Sequence, residues 1–538
     1  MRLSEAILRY LKNNGVEYIF GIPAGNVSPL YDSLNDVDIK LIVSKNEAGS
    51  TYCAARYANI SKKLGVCILA GGVGINNGIN GIADAMIDKA PVLIISGYIK
   101  RENIGKGAIQ ELDTQHMLKP ITKYSKTIFD ENEVLNELQE AIRLALTPPF
   151  GPVHLSIPLD IQMEALNGDM PDPVKVSKTP IDLKALDRAK NIIEKEEKGL
   201  ILVGKYARGL TEEIKKLSLH LRWPIITSSG GKGVVPEEFE MNLGNYGFSG
   251  TDSANDFVDK ADYTCLLVLG CGLGEASTRN FNNTLVKDKR VIHIDSDKKE
   301  LDRVFTADVG VVGDVCECIN YLLDNTAAKA NQFTRPENFN QPYVLNHTGL
   351  SFRLFVEKIT GLMPKNTYYV CDLGETMNFV FKYLHLTKES DFEININYAS
   401  MGSSVGGAVG AHLASPNKRT AVIVGDGSYF MNGMEILSAK EYNLPIVYFV
   451  VNNAKLGYVD RGHEYLYKRS RQEFKQQRVS IKDITKAMNI PAIEISKIED
   501  MKFIPDFIKD VNGPCLVEVI TDGTEPAPIM DRIKALKR

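Results

Sequence analysis

Two short segments carry the residue types that hold a metal ion against a phosphate. Gly425-Asp426-Gly427-Ser428 follows the apolar run Ala421–Val424, and Asn452-Asn453 closes a second such run one helix and one strand later. Asp426 can supply a carboxylate oxygen, Asn453 an amide oxygen, and the turn after it a backbone carbonyl. Magnesium takes six hard oxygens in an octahedron, commonly completed by phosphate and water. The glycines let backbone approach a phosphate closely, and a helix starting near Ser428 would turn amide donors toward an anion. A glycine-flanked aspartate or a pair of asparagines is ordinarily structural when it stands alone. Both together, each at a strand end, point to metal–diphosphate chemistry.

Glu47 is a third candidate. In Val43-Ser-Lys-Asn-Glu47-Ala-Gly it stands just past an apolar run and at the start of a small-residue helix. An acid there is also what a helix N-terminus favours, so the local sequence admits both readings. Met401 is core filler by default. His154 lies inside an apolar run and reads as a satisfied core histidine.

These residues need a scaffold, and the chain supplies a repeated one. Short apolar runs alternate with helical stretches: Lys40–Ser44, Gly65–Ala70, Pro91–Ser96, Gly199–Gly204, Tyr263–Leu269, Arg290–Asp295, Arg419–Val424 and Pro445–Val451. Continuous β-branched runs between helices predict strands buried on both faces of parallel sheets. The expected fold is α/β, with three doubly wound parallel-sheet domains. Ligands bind such sheets at the carboxyl ends of the strands, where Asp426 and Asn453 stand. Polar, proline-bearing stretches at Asn167–Thr179 and Ala327–His347 divide the 538 residues into expected domains 1–165, 180–325 and 345–538.

Composition narrows the class. A hydrophobic content of 44% with 24% charged residues is that of a soluble globular protein, and a net charge of -4 argues against nucleic-acid or anionic-membrane partners. The eight cysteines are scattered without a paired zinc spacing, which predicts reduced thiols. Neither a signal peptide nor a membrane-length apolar run is visible, so a cytoplasmic location is expected.

The Gly425-Asp426-Gly427 and Asn452-Asn453 pair resembles the motif of thiamine-diphosphate (ThDP) enzymes. The resemblance implies ThDP and Mg2+ as cofactors, with the metal on Asp426, Asn453 and the carbonyl of Lys455. It places Gly374, Glu375, Gly402, Gly425, Asp426, Gly427, Ser428, Asn453 and Gly457 at the cofactor. Met401, in Met401–Gly407, aligns with the bulky residue wedged between the two ThDP rings. Glu47-Ala-Gly, Ala54–Ala58, Gly71–Asn77 and Ala83-Asp-Ala85 resemble the family's pyrimidine-binding domain. Its activating glutamate stands where Glu47 does, and hydrogen-bonds the aminopyrimidine so that the cofactor can lose its C2 proton. In the family this residue reaches across from a neighbouring subunit, which implies a homodimer or homotetramer with active sites at the interface.

The match extends along nearly the whole chain and looks closest to the acetolactate (acetohydroxyacid) synthase group. Phe20–Gly25, Gly107–Glu111, Gly230–Pro236, Asn242–Gly247, Ile292–Asp295, Val312–Asp314 and Tyr429–Glu435 parallel its segments, with Ala24 and Ile109 as local departures. The implied reaction is carboligation. A 2-oxo acid, expected to be pyruvate, loses CO2, and the acyl carbanion equivalent passes to a carbonyl acceptor. Gln110 would be a neutral donor to the substrate, its plain alternative being an exposed helix-cap glutamine.

Two departures qualify this. The tryptophan that shapes the synthases' acceptor pocket is missing near Gly462, Tyr458 replaces a common methionine, and the sole tryptophan is the distant Trp223. This puts ordinary acetolactate formation in question and leaves the acceptor open, a bulkier one such as a keto-sugar or another aldehyde standing beside pyruvate. Gly270–Thr278 lacks the arginine of the flavin-binding synthases, which leaves FAD open with the balance toward absence. The competing readings are a non-oxidative 2-oxo-acid decarboxylase and a non-catalytic ThDP-fold subunit or sensor.

Overall fold

The structure, a computed structural model, describes residues 1–176, 178–260, 262–342 and 349–535. All eight apolar runs form strands. The first sheet holds β1 (Tyr18–Gly21), β2 (Lys40–Val43), β3 (Gly65–Leu69), β4 (Val92–Tyr98), β5 (Tyr124–Thr127) and β6 (Val153–Pro158). The second holds β7 (Gly199–Val203), β8 (Ile225–Thr227), β9 (Asn242–Asn245), β10 (Cys265–Leu269), β11 (Arg290–Asp295) and β12 (Val309–Val312). The third holds β13 (Thr367–Cys371), β14 (Asp391–Glu393), β15 (Arg419–Gly425), β16 (Ile446–Asn452), β17 (Ala492–Ile495) and β18 (Cys515–Ile520). Every pairing is parallel. Strands β3, β7, β10 and β16 are buried from end to end, as helices on both faces require.

The first and third sheets are wired alike, in the orders β2-β1-β3-β4-β6-β5 and β14-β13-β15-β16-β18-β17. The middle sheet differs, running β12-β11-β10-β7-β8-β9. Between Met163 and Leu183 the described chain forms no helix or strand, only an isolated bridge from Ala165 to Arg2. The stretch 327–342 is likewise irregular. The expected boundary at 345 lies outside the described residues.

Six helices position the candidate residues: α1 (Glu47–Ser61), α2 (Val73–Ile87), α3 (Glu375–Tyr383), α4 (Ser403–Ala414), α5 (Asp426–Asn432) and α6 (Gly457–Tyr467). Helices α1 and α4 press together through glycines: a Cβ on Gly410 would lie 2.0 Å from the Cys53 carbonyl oxygen. The Cys53 thiol donates to the Gly406 carbonyl at 3.0 Å, and this pair of helices joins the first and third sheets. Lys205 of the middle unit reaches Asp88 Oδ1 at 2.6 Å and Glu393 Oε1 at 2.7 Å, so one ammonium ties all three units together. Both carboxylates are buried and each has a second cation, Arg56 for Asp88 at 3.2 Å and Arg208 for Glu393 at 3.7 Å. All eight cysteines are free thiols, seven of them buried. None of the described helices is long and apolar enough to cross a membrane.

Candidate active site

Strands β15 and β16 run side by side with Gly425 in register with Val451, so their carboxyl ends release Asp426 and Asn453 into adjoining loops. The Asp426 carboxylate accepts from the Gly427 and Ala454 amides, each at 2.8 Å, and so bridges both loops. Burial pushes its pKa up, opposed by those two amides. Helix α5 begins at Asp426 itself, earlier than the expected start near Ser428, because Asp426 already takes helical backbone geometry.

The two asparagines divide their work. Asn452 is buried and donates to Glu518 Oε1 at 2.6 Å and to the Val479 carbonyl at 2.9 Å. Asn453 faces the cavity, its Oδ1 accepting from the Lys455 amide at 3.1 Å and its Nδ2 donating to Glu375 Oε2 at 3.3 Å. The Leu456 amide donates to the Phe474 carbonyl and the Gln476 amide to the Ala454 carbonyl, both at 2.8 Å, tying the loop to the segment 474–476.

One cavity gathers Gly374, Glu375, Met401, Gly425, Asp426, Gly427, Ser428, Asn453, Lys455 and Gly457. Leu373, Thr376, Val451, Leu456, Tyr458 and Val459 complete its lining. Gly402 stands beside it with φ 81, a left-handed turn that suits glycine. A Cβ on Gly427 would meet only Leu456 at 3.5 Å and Met401 Cε at 3.7 Å, and one on Gly425 only Thr376 at 3.9 Å. These glycines therefore face open space between the loops. Hard-oxygen donors around an open glycine backbone fit a diphosphate held through a divalent cation. Gly457 is needed for another reason: its Cβ would lie 2.2 Å from Glu375 Oε2.

Two acids that organise the site escaped the sequence reading. Asp372, buried past the end of β13, accepts from the Gly402 and Ser404 amides, each at 2.9 Å, and from the Ser404 hydroxyl at 2.5 Å. It holds the Met401-Gly402 turn against the anchor strands. Its signal was an apolar run ending in Asp, Thr367–Asp372, like those that were singled out. Asp372→Ala would strand those donors and is expected to cost about 3 kcal/mol of stability. Denaturant unfolding beside Ser404→Ala, which loses one hydroxyl donor and should cost less, checks this. Glu435, also buried, accepts from the Lys45 and Asn46 amides at 2.9 Å each, docking the third unit onto the loop before Glu47.

Glu47 opens α1, with Asn46 as its cap. Its Oε2 accepts from Asn77 Nδ2 at 3.0 Å, and its Oε1 lies 3.4 Å from a Cβ built on Gly74. Gln110 is exposed in a left-handed turn (φ 66) and not at a helix cap. Its Oε1 accepts from Asn26 Nδ2 at 3.1 Å, and its carbonyl oxygen lies 2.7 Å from a Cβ built on Gly72. Glu47 and Gln110 thus flank the same Gly71–Gly74 turn at the carboxyl edge of the first sheet. Neither lines the anchor cavity, whose residues all fall within 373–459. Glu47 and Gln110 on one side and the cavity residues on the other thus form two separate groups within the chain.

Tyr458 closes the anchor cavity, and burial pushes its pKa up to about 12. His463 packs edge-on against Tyr467 and Phe474, and a Cβ on Gly462 would meet nothing within 4 Å. His154 is a buried core residue between Ser96 (2.8 Å) and Ser125 (2.9 Å), its pKa lowered by burial to about 3.

Three family models match in order along the chain: the thiamine pyrophosphate enzyme N-terminal TPP binding domain over residues 1–117, the central domain over 186–322, and the C-terminal TPP binding domain over 372–519. The chain is 28% identical to a probable acetolactate synthase large subunit of Methanocaldococcus jannaschii, over 98% of this chain and 93% of that protein. It is 28% identical to the acetolactate synthase large subunit of Lactococcus lactis subsp. lactis, over 97% and 93%. Against the acetolactate synthase isozyme 2 large subunit of Escherichia coli it is 27% identical, over 98% and 96%. With three parallel sheets and three matching domains in the same order, the chain belongs to the thiamine pyrophosphate enzyme family and is an enzyme of the acetolactate-synthase type.

Proposed function

We propose that the protein is a ThDP- and Mg2+-dependent carboligase that decarboxylates pyruvate and transfers the acyl unit to a carbonyl acceptor other than pyruvate. The observation that carries this is the single cavity uniting Asp426, Asn453, Lys455 and Met401 in a chain of this family. Asp426, Asn453 and the Lys455 carbonyl would hold the cation, and the Gly425–Ser428 backbone the diphosphate. The cofactor supplies the nucleophilic carbon and the electron sink for decarboxylation. Met401, 3.7 Å from the position of a Gly427 Cβ, would shape its bend.

Glu47 would donate a hydrogen bond to the cofactor's pyrimidine from a second copy of the chain, with Asn77 holding the carboxyl in place. Gln110 would offer its amide to the substrate. Exposed apolar residues support the pairing of copies: Val73 and Ile109 (90% exposed) surround the first of the two groups, and Phe430, Met431, Met434 and Val459 the second. A glycine near the position where the synthases carry a tryptophan supports a larger acceptor. FAD stays open in this reading with the balance toward absence: Gly270–Thr278 carries no arginine, and Arg279, directly after it, pairs with Asp259 at 2.9 Å. Lys89 with Asp297 and Glu300 (2.6 and 2.7 Å) also occupies the middle sheet's carboxyl edge.

Mass spectrometry of products from pyruvate offered with aldehydes and ketones tests the reading. A mixed condensation product should outpace acetolactate. Acetolactate dominating from pyruvate alone would make the chain an ordinary synthase, and dominant acetaldehyde would make it a decarboxylase.

A further inference from the structure

Behind the anchor cavity lies a smaller one, and the two share a wall formed by Glu375, Thr376, Val451 and Asn453. Glu375 is the first residue of α3, its side chain 11% exposed. One carboxylate oxygen accepts from Arg461 Nε and the other from Asn453 Nδ2. Gly457, the first residue of α6, leaves no room for a Cβ above that second oxygen, so α6 sits directly on the carboxylate. An anionic side chain thus lines the same cavity as Asp426 and Asn453, where the proposed function puts a diphosphate. Like charges this close disfavour one another's ionised forms unless a cation intervenes.

Arg461, on α6, supplies the cation. Its side chain is 18% exposed, and besides Glu375 it donates through Nη2 to the Gly523 carbonyl at 2.9 Å and to the Glu525 carbonyl. A planar guanidinium with three acceptors around it is pre-organised in a way a lysine ammonium is not. It joins α3, α6 and the loop after β18 behind the cavity.

We propose that Arg461 is a positioning residue for the cofactor: by neutralising Glu375 it lets the wall of the anchor cavity receive a diphosphate while fixing α6 as the cavity's outer side. The proposal rests on the ThDP reading. Arg461 touches Glu375 and the two carbonyls, and acts on the cofactor through them.

The test is calorimetric titration of the full-length chain, stripped of cofactor, with ThDP in the presence of magnesium. Arg461→Gln is expected to weaken ThDP binding about tenfold or more, because it leaves Glu375 without its hydrogen-bonded cation beside the diphosphate. Glu375→Gln/Arg461→Gln should bind several-fold tighter than Arg461→Gln, rescuing the single arginine variant, and no weaker than Glu375→Gln. That last comparison decides even if Arg461→Gln alone does not fold. Unchanged binding by Arg461→Gln overturns the proposal. So does a double variant about tenfold weaker than Glu375→Gln, which would show the arginine acting independently of the carboxylate. A comparable loss in Glu375→Gln itself overturns it too, by making the carboxylate a direct ligand. A wild-type chain that takes up no ThDP refutes the proposed function instead, a result distinct from all of these.

Discussion

Glu47→Gln is expected to lower turnover of pyruvate by about 10²–10⁴-fold, the usual worth of a positioned proton-handling group. Cofactor affinity and melting temperature should change little. The substitution preserves volume and keeps an oxygen for Asn77 Nδ2, which now lies 3.0 Å from Glu47 Oε2. The Asn46 cap on α1 stays in place, accepting from the Ala48 amide at 2.8 Å. What is lost is a negative charge at a helix N-terminus, worth about 0.3–1 kcal/mol. A structural acid would show only that small loss, in stability and not in rate. Steady-state CO2 release measured beside calorimetric ThDP binding separates the two. Turnover within a few-fold of wild type would remove Glu47 from the chemistry and revive the non-catalytic reading of the chain.

How far the sequence reaches follows from which interactions are local. The runs that became β3, β7, β10 and β16 are apolar at every position because both faces are covered, so the sheets were legible without pairing information. The anchor was legible because a strand's carboxyl end fixes where its next residue goes, and both Asp426 and Asn453 follow one. Glu435 and Arg461 were not, and of Asp372 only its place at the end of an apolar run was. Each acts by accepting from or donating to groups 30 to 390 positions away, and nothing in their immediate neighbours records that. The identical wiring of the first and third sheets was equally hidden, since strand order is set by helix crossovers and leaves no local pattern. Gln110 shows the limit most clearly. Its left-handed backbone beside Gly72 is imposed by the fold, and the helix cap that stood as the plain alternative to a substrate donor is not what forms there.

Asp426→Asn is expected to weaken magnesium–ThDP binding more than about 100-fold, and with it the rise in melting temperature on adding cofactor, which near 100 Kd reflects roughly 2.7 kcal/mol of added stability. The amide keeps one oxygen but turns an NH2 toward either the Gly427 or the Ala454 amide, both of which now donate to the carboxylate at 2.8 Å. The cation loses its charged ligand, and the two loops lose part of the bridge between them. In the cofactor-free protein the effect should be small, because losing about 1 kcal/mol of hydrogen bonding is offset by removing a buried charge. Thermal melts with and without ThDP and magnesium measure both quantities, and an unchanged cofactor-dependent shift would move the metal away from Asp426. Mixing this variant with Glu47→Gln then asks whether Glu47 and the anchor of one site come from different copies. If they do, random re-association into dimers leaves half of the dimers mixed, each with one fully wild-type site, and about a quarter of wild-type activity returns. If Glu47 served the anchor of its own chain, every site in the mixture would carry one lesion and no activity would return. The separation of Glu47 from the cavity lined by residues 373–459 favours the first outcome.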